Sequence, residues 1–108
     1  MAELGAEHAR LAFEVGEDGD GSPLVTLSGE LDISNAGRVE AAVIPVIARS
    51  PKRLVVDVSG LEFADSSAIA LLVRWANVVP QVELREPPDL LSRVITRMGL
   101  AQRLKVTP

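Results

Sequence analysis

The sequence predicts an α/β domain: a mixed four- to five-stranded β-sheet with helices mainly on one face. Three observations predict it. Strand-type segments occur at residues 24–31 (LVTLSGEL), 53–59 (RLVVDVS) and 82–86 (VELRE). Segments with apolar residues at helical spacing separate them, which makes β-α-β units with parallel strands and right-handed crossovers. With two Phe, one Trp and no Tyr, the core must be built from Val, Leu, Ile and Ala.

Taken in order, residues 1–10 read as a flexible N-terminal tail and residues 11–108 as a single domain. Leu11 to Val15 alternates weakly and suits an edge strand. Gly16 to Pro23 (GEDGDGSP) is dense in turn formers and forms a loop. The segment from Leu24 alternates apolar and polar residues, and the two strands around the loop make an antiparallel hairpin. Ser34 suits the N-cap of a helix from about Asn35 to Arg49, with Ala36, Val39, Val43, Val46 and Ile47 facing the sheet. Pro45 removes one backbone hydrogen bond and kinks this helix, and Ser50-Pro51 ends it.

Arg53 to Ser59 is a β-branched run of core-strand type, and Gly60 to Ala64 is expected as a short connection. A second helix is expected from Ser66 to about Asn77, and a fourth strand from Val82 to Glu86. Pro87-Pro88-Asp89 opens a third helix, with Pro88 suited to its first position. Leu91, Val94, Ile95 and Met98 form its apolar face, and Gly99 caps it. Ala101 to Pro108 reads as a frayed or short terminal segment.

Composition excludes several function classes. The net charge of −4, with scattered basic residues, argues against a nucleic-acid surface. The absence of Cys removes disulfides, thiolate catalysis and Cys-based zinc sites. His8, the one His, lies in the tail, so the body has no His cluster or Ser/His pair. No catalytic residue, metal or cofactor is expected. No apolar stretch spans a bilayer and no signal peptide is visible, so a cytoplasmic location without membrane insertion is expected. Asp18-Gly19-Asp20-Gly21 resembles the start of a calcium loop but lacks the closing Glu, so a hairpin loop is the better reading. Asp57, in the third strand, faces a partner edge or is hydrogen-bonded near the sheet end.

The Asp65-Ser66-Ser67 turn carries the strongest functional signal. Asp65 stands where an N-cap belongs, and Ser66 and Ser67 occupy the first helical turn. This is the positive end of the helix dipole, after the C-terminal end of a parallel strand, the edge where α/β sheets bind ligands and partners. A phosphate there adds roughly −1.5 to −2 charges. The turn is therefore either a capping sequence alone or a binding patch switched by phosphorylation. On the second helix, Ile69, Leu72, Val73 and Ala76 make the core face. Leu71 and Trp75, four apart, lie to one side. They are either a partly exposed interface anchor beside the turn or part of a wide buried face.

The chain resembles the STAS domain, and within it the bacterial anti-sigma factor antagonists. Three segments carry the resemblance: residues 27–32 (LSGELD), residues 54–61 (LVVDVSGL) and residues 63–67 (FADSS). It covers nearly the whole chain, in order and with suitable spacing. It implies a STAS-type fold and a binding protein, not an enzyme. The unphosphorylated protein would bind an anti-sigma factor, often a serine kinase, and free a sigma factor. The kinase would phosphorylate Ser66 and a phosphatase would reverse it. Asp65 and Ser67 would shape the loop, and Asp32 would lie near the kinase-facing edge. The family usually continues D-S-S-G-x-G, whereas this chain has Ala68 and Ala70. These favour a regular helix and add methyl groups to the docking face, so Ala68 joins Leu71 and Trp75 among the expected partner-binding residues. The same resemblance extends to the small STAS subunit of bacterial lipid-transport ABC complexes, a constitutive adaptor that needs no phosphorylation.

Overall fold

A computed structural model describes residues 10–107, so most of the expected tail, His8 included, lies outside the described residues. Among the described residues, five strands and three helices follow in the order β1 (Leu11–Glu17), β2 (Pro23–Leu31), α1 (Ala36–Ile47), β3 (Arg53–Ala64), α2 (Ser66–Val78), β4 (Gln81–Arg85), α3 (Asp89–Arg97) and β5 (Leu104–Thr107). The strands lie side by side in chain order. β1 runs antiparallel to β2, and every later pair is parallel. Successive right-handed crossovers that always step in one direction place every helix on the same face of the sheet. The packing agrees. Val39 and Val43 of α1, Leu72 of α2 and Ile95 of α3 share one core with Val25, Leu54, Val56 and Leu84 of the strands.

Two expectations about strand content are corrected. Residues 60–64 are not a connection but the second half of β3, with Leu61 opposite Gly29 and Ala64 opposite Leu31. Register shifts between Thr26 and Ser28, and between Gly29 and Glu30, keep the pairing going past Gly60. Two glycines permit close approach on the two sides of β2, Gly29 toward the start of β1 and Gly60 toward β2 from β3. A Cβ on Gly29, whose φ is +91°, would sit 1.8 Å from the Arg10 carbonyl oxygen, and one on Gly60 would sit 2.8 Å from Ser28 Cβ. The terminal segment is likewise not frayed: Leu104–Thr107 pairs parallel with β4 and buries Leu104.

Helix boundaries also shift. Asn35, not Ser34, stands at the N-cap of α1, and no side chain caps that end. Pro45 lies within the helix on its exposed side, where the sheet is not disturbed. Pro88 is the N-cap of α3 rather than its first residue. Gly99, with φ +72°, closes that helix as expected. Met98, expected on the apolar face, is the C-cap residue of α3 and is 56% exposed, lining the groove between α2 and α3 instead of the core.

The face of the sheet without helices carries a polar clasp. Arg53 Nη1 donates to Asp18 Oδ2 at 3.1 Å and Asp20 Oδ2 at 2.9 Å, and its Nη2 donates to Glu83 Oε1 at 2.6 Å. Arg85 lies 3.4 Å from both Asp18 and Glu83, and the Thr107 hydroxyl donates to Glu83 at 3.3 Å. The loop that resembles a calcium site thus spends its carboxylates on two arginines and ties the β1–β2 hairpin to β3, β4 and β5. Among the described residues no helix is long and apolar enough to cross a membrane.

Candidate functional site

The site lies where β2 and β3 end, at the opposite end of the sheet from the Arg53 clasp. β3 delivers Asp65 in an extended conformation, which lets its side chain fold over the start of α2. Asp65 Oδ1 accepts from the N–H groups of Ser67 at 2.8 Å and Ala68 at 3.3 Å. Its Oδ2 accepts from the Ile33 N–H at 3.2 Å, and its own N–H donates to the Leu31 carbonyl at 3.3 Å. One carboxylate therefore caps a helix and latches the β2–α1 loop to it.

Ser66, the first residue of α2, is exposed, and among the described residues its hydroxyl makes no hydrogen bond. Ser67 is half-buried behind it. The hydroxyl of Ser66 thus points into solvent at the positive end of a 13-residue helix.

Asp32 lies in the latched loop but is turned inward on its own turn. Its Oδ1 accepts from Ser34 Oγ at 2.6 Å and Ser34 N at 2.9 Å. The Ser34 hydroxyl, then the Ser34 N–H, hold the Asp32 carboxyl below the ordinary carboxylate range. Asn35 is buried and braces the same loop, accepting from the Asp32 N–H and donating to the Glu30 carbonyl, both at 2.9 Å. That employment explains why it does not cap α1. Asp57 forms the same kind of turn with Ser59, whose N–H and hydroxyl it accepts at 3.0 and 2.7 Å.

The expected Leu71/Trp75 anchor is corrected. Leu71 is 0% and Trp75 2% exposed, and both belong to the core. The single layer of helices must cover a five-stranded sheet, so α2 sinks a wide face rather than a narrow stripe. Ala68 is buried with them, and its methyl group faces the core instead of a partner. Ala70 is the exposed one of the two alanines.

The apolar surface at the site comes from residues the sequence did not single out. Ile33 is 81%, Phe63 51% and Leu90 71% exposed. Phe63, Leu90 and Ser66 line one groove of about 660 Å³ between α2 and α3, walled further by Ile69, Val73 and Val94. Isolated exposed apolar residues such as Ile33 are ordinary, but Phe63 and Leu90 on one groove beside the Ser66 hydroxyl mark an interaction surface. A signal existed in the sequence. Leu90 adds an apolar residue beyond the core stripe of α3, and Phe63 interrupts a polar strand end.

The family model described as "Mlab, STAS domain" matches residues 15–107. The anti-sigma-F factor antagonist RsfB of Mycobacterium tuberculosis is 31% identical over 64 residues, which cover 59% of this chain and 52% of that protein. The chain thus matches about half the length of the curated relatives. The crystal structure of an anti-sigma factor antagonist from Mycobacterium paratuberculosis superposes with a TM-score of 0.80 and 30% identity, covering 91% of this chain and 86% of that one. A chain of the Acinetobacter MlaFEDB complex superposes with a TM-score of 0.66 and 26% identity, covering 78% and 93% respectively.

Proposed function

Because the chain belongs to the STAS domain family, we propose that it is an anti-sigma factor antagonist: it binds an anti-sigma factor, releases a sigma factor, and is switched off by phosphorylation at Ser66. The observation that carries the proposal is the exposed, unbonded Ser66 hydroxyl beside an apolar groove. The identity to antagonists from two mycobacteria supports the partner class. In this proposal the protein is a kinase substrate and a binding partner, and it catalyses nothing itself.

The switch follows from charge. A phosphate on Ser66 brings roughly −1.5 to −2 charges to the rim of the groove. The end of α2 tolerates it, because free N–H groups and the helix dipole favour an anion there. A partner docked across the apolar rim must bury that charge, which is unfavourable without a cation opposite it. Asp65 holds the acceptor in place through the cap, and Ser67 fills the turn behind it. A phosphatase restores the neutral surface.

The test is incubation with the cognate anti-sigma factor and Mg-ATP, followed by mass spectrometry, and calorimetry on Ser66→Ala and Ser66→Asp. Phosphate on Ser66 and weakened binding by Ser66→Asp alone are the expected results. An unmodified Ser66 together with equal affinity for all three proteins would sink the proposal.

A second reading is supported by the description of the family model and by the MlaFEDB neighbour. In it the chain is a constitutive adaptor of a lipid-transport ABC complex, and the same groove holds an ATPase subunit. Co-purification with an ATPase, unaffected by Ser66→Asp, distinguishes it.

A further inference from the structure

The two edges of the sheet are built differently. β5 is a protected edge: Leu104–Thr107 is four residues long, carries Lys105 and is followed by Pro108. β1 has none of these devices. Its seven residues include no Lys, Arg or Pro, and its pairing with β2 runs from Leu11 to Glu17 without a register shift. Among the described residues no strand pairs with its outer side. Hydrogen bonds at both ends of the hairpin fix which backbone groups face outward. The Glu30 N–H donates to the Arg10 carbonyl at 2.8 Å, and the Asp18 N–H donates to the Ser22 carbonyl at 2.7 Å. Even-numbered residues therefore bond to β2, and Leu11, Phe13, Val15 and Glu17 turn their N–H and C=O groups away from the sheet. The side chains of Leu11, Phe13 and Val15 share the helix-covered face, opposite Gly29, Leu27 and Val25. Leu11 is buried and Phe13 half-buried, but Val15 is 39% exposed. Arg10, Ala12 and Glu14 lie toward the other face and are all exposed.

We propose that β1 is a dimerisation edge, to which a second copy of this chain adds its own β1, antiparallel, about a two-fold axis at Phe13. The inference is independent of the antagonist reading. A closed two-fold contact needs an edge that complements itself. Outward groups sit on odd-numbered residues, so odd must pair with odd, and mid-strand axes at Ala12, Phe13 and Glu14 all satisfy that. An axis at Glu14 sets two carboxylates opposite each other, which is destabilising. An axis at Ala12 sets Val15 opposite a residue before β1. An axis at Phe13 sets Phe13 against Phe13, Leu11 against Val15 and Ala12 against Glu14. This register covers the exposed Val15 and adds a cross-strand aromatic pair. It also sets Arg10 diagonally across from Glu14 of the second copy, at about 7–8 Å, within reach of a long side chain. The Arg10 side chain is 57% exposed and meets Glu30 of its own chain at 3.5 Å, so it can serve both carboxylates. A strand from another protein would satisfy the same backbone groups, but only a second copy brings all three matches together. β2 separates this edge from β3, which delivers Ser66, so each copy keeps its phosphoacceptor turn outside the paired strands.

The test is sedimentation equilibrium of the full chain over a concentration series, and the expected result is a reversible monomer–dimer equilibrium. Val15→Pro deletes an outward N–H and leaves every β1–β2 hydrogen bond in place. It should weaken the dimer at least about ten-fold, because each copy loses one hydrogen bond. Val15→Lys keeps that N–H but sets a charge on the edge, and should weaken the dimer whether or not Val15→Pro folds. Arg10→Glu should also weaken it, and Arg10→Glu with Glu14→Arg should restore it. Crosslinking reads the register. The chain has no Cys, so an oxidised variant with a single Cys can join only two copies. Phe13→Cys should form that disulfide, since Cα atoms of a hydrogen-bonded antiparallel pair lie about 5.5 Å apart. Glu14→Cys should not. A wild type that stays monomeric at every concentration overturns the proposal. So does a dimer indifferent to both Val15→Pro and Val15→Lys. Crosslinking by Glu14→Cys in place of Phe13→Cys overturns it as well, because the axis then lies elsewhere.

Discussion

Asp65 and Ile33 are 32 residues apart, and the Ile33 backbone N–H donates to Asp65 Oδ2 at 3.2 Å. Through this bond the loop after β2 and the start of α2 form one surface. Removing the carboxylate breaks the latch and uncaps the helix together. Asp65→Ala is expected to cost about 1–2 kcal/mol in urea denaturation, the upper range for a lost N-cap. It should also raise amide exchange at Ile33, Ser67 and Ala68. A loss of stability without faster exchange at Ile33 would mean that the latch contributes nothing.

Ser66 sits one residue beyond that cap and is exposed. Ser66→Asp should leave stability unchanged or raise it by about 0.3–1 kcal/mol through the helix dipole. Ser66→Ala should fall within about 0.5 kcal/mol of wild type, as exposed substitutions do. Thermal melts check both. Any loss of partner binding by Ser66→Asp is then a surface effect, not unfolding.

Trp75, the only Trp, reports directly on the buried face of α2. Its emission should be blue-shifted in the folded protein and indifferent to partner binding. Trp75→Ala is expected to cost about 3–5 kcal/mol, the range for deleting a large buried aromatic. A strong fluorescence change on partner binding would contradict its burial.

The clasp on the open face sets an acid limit. Arg53 holds Glu83 below its ordinary range; the Gly19 N–H and Arg53 do the same for Asp18, and the Ser22 N–H for Asp20. Lowered values mean that the folded state binds fewer protons than the unfolded one. The clasp therefore contributes fully above about pH 5, and its contribution is lost as pH falls through the lowered values, below about pH 4. Denaturation midpoints measured across that window should fall more steeply for wild type than for Arg53→Met with Glu83→Leu. Arg53→Met alone leaves the nearly buried Glu83 with only the longer contacts to Arg85 and Thr107 and should cost about 1–2 kcal/mol, less than a fully buried pair because those partners remain and Arg53 is partly solvated.

Gly29→Ala tests the close approach between β1 and β2. A methyl group there meets the Arg10 carbonyl at 1.8 Å in a backbone region that only Gly enters readily. The expected cost is at least about 2 kcal/mol, from φ strain and displacement of the β1 start combined. Chemical denaturation is the measurement, and a near-neutral result would show that β1 can shift without loss.

The sequence by itself determined the mixed α/β class, the hairpin, the parallel order and the Asp65 cap. Each follows from local periodicity or from a capping residue whose partners lie two or three positions away, as with Ser67 and Ala68. Only the tertiary structure decided what faces outward. Leu71 and Trp75 read equally as anchor or core, and burial under a single helix layer made them core. Residues 60–64 looked like a connection because Gly60 and the charged Glu62 break the strand pattern, yet two bulges let β2 pair with them. Phe63 and Leu90 became one surface only when the end of β3 and the start of α3 were brought together. Local chemistry is legible along the chain because its partners are near in sequence; exposure is not, because the atoms that cover a side chain come from elements many residues away.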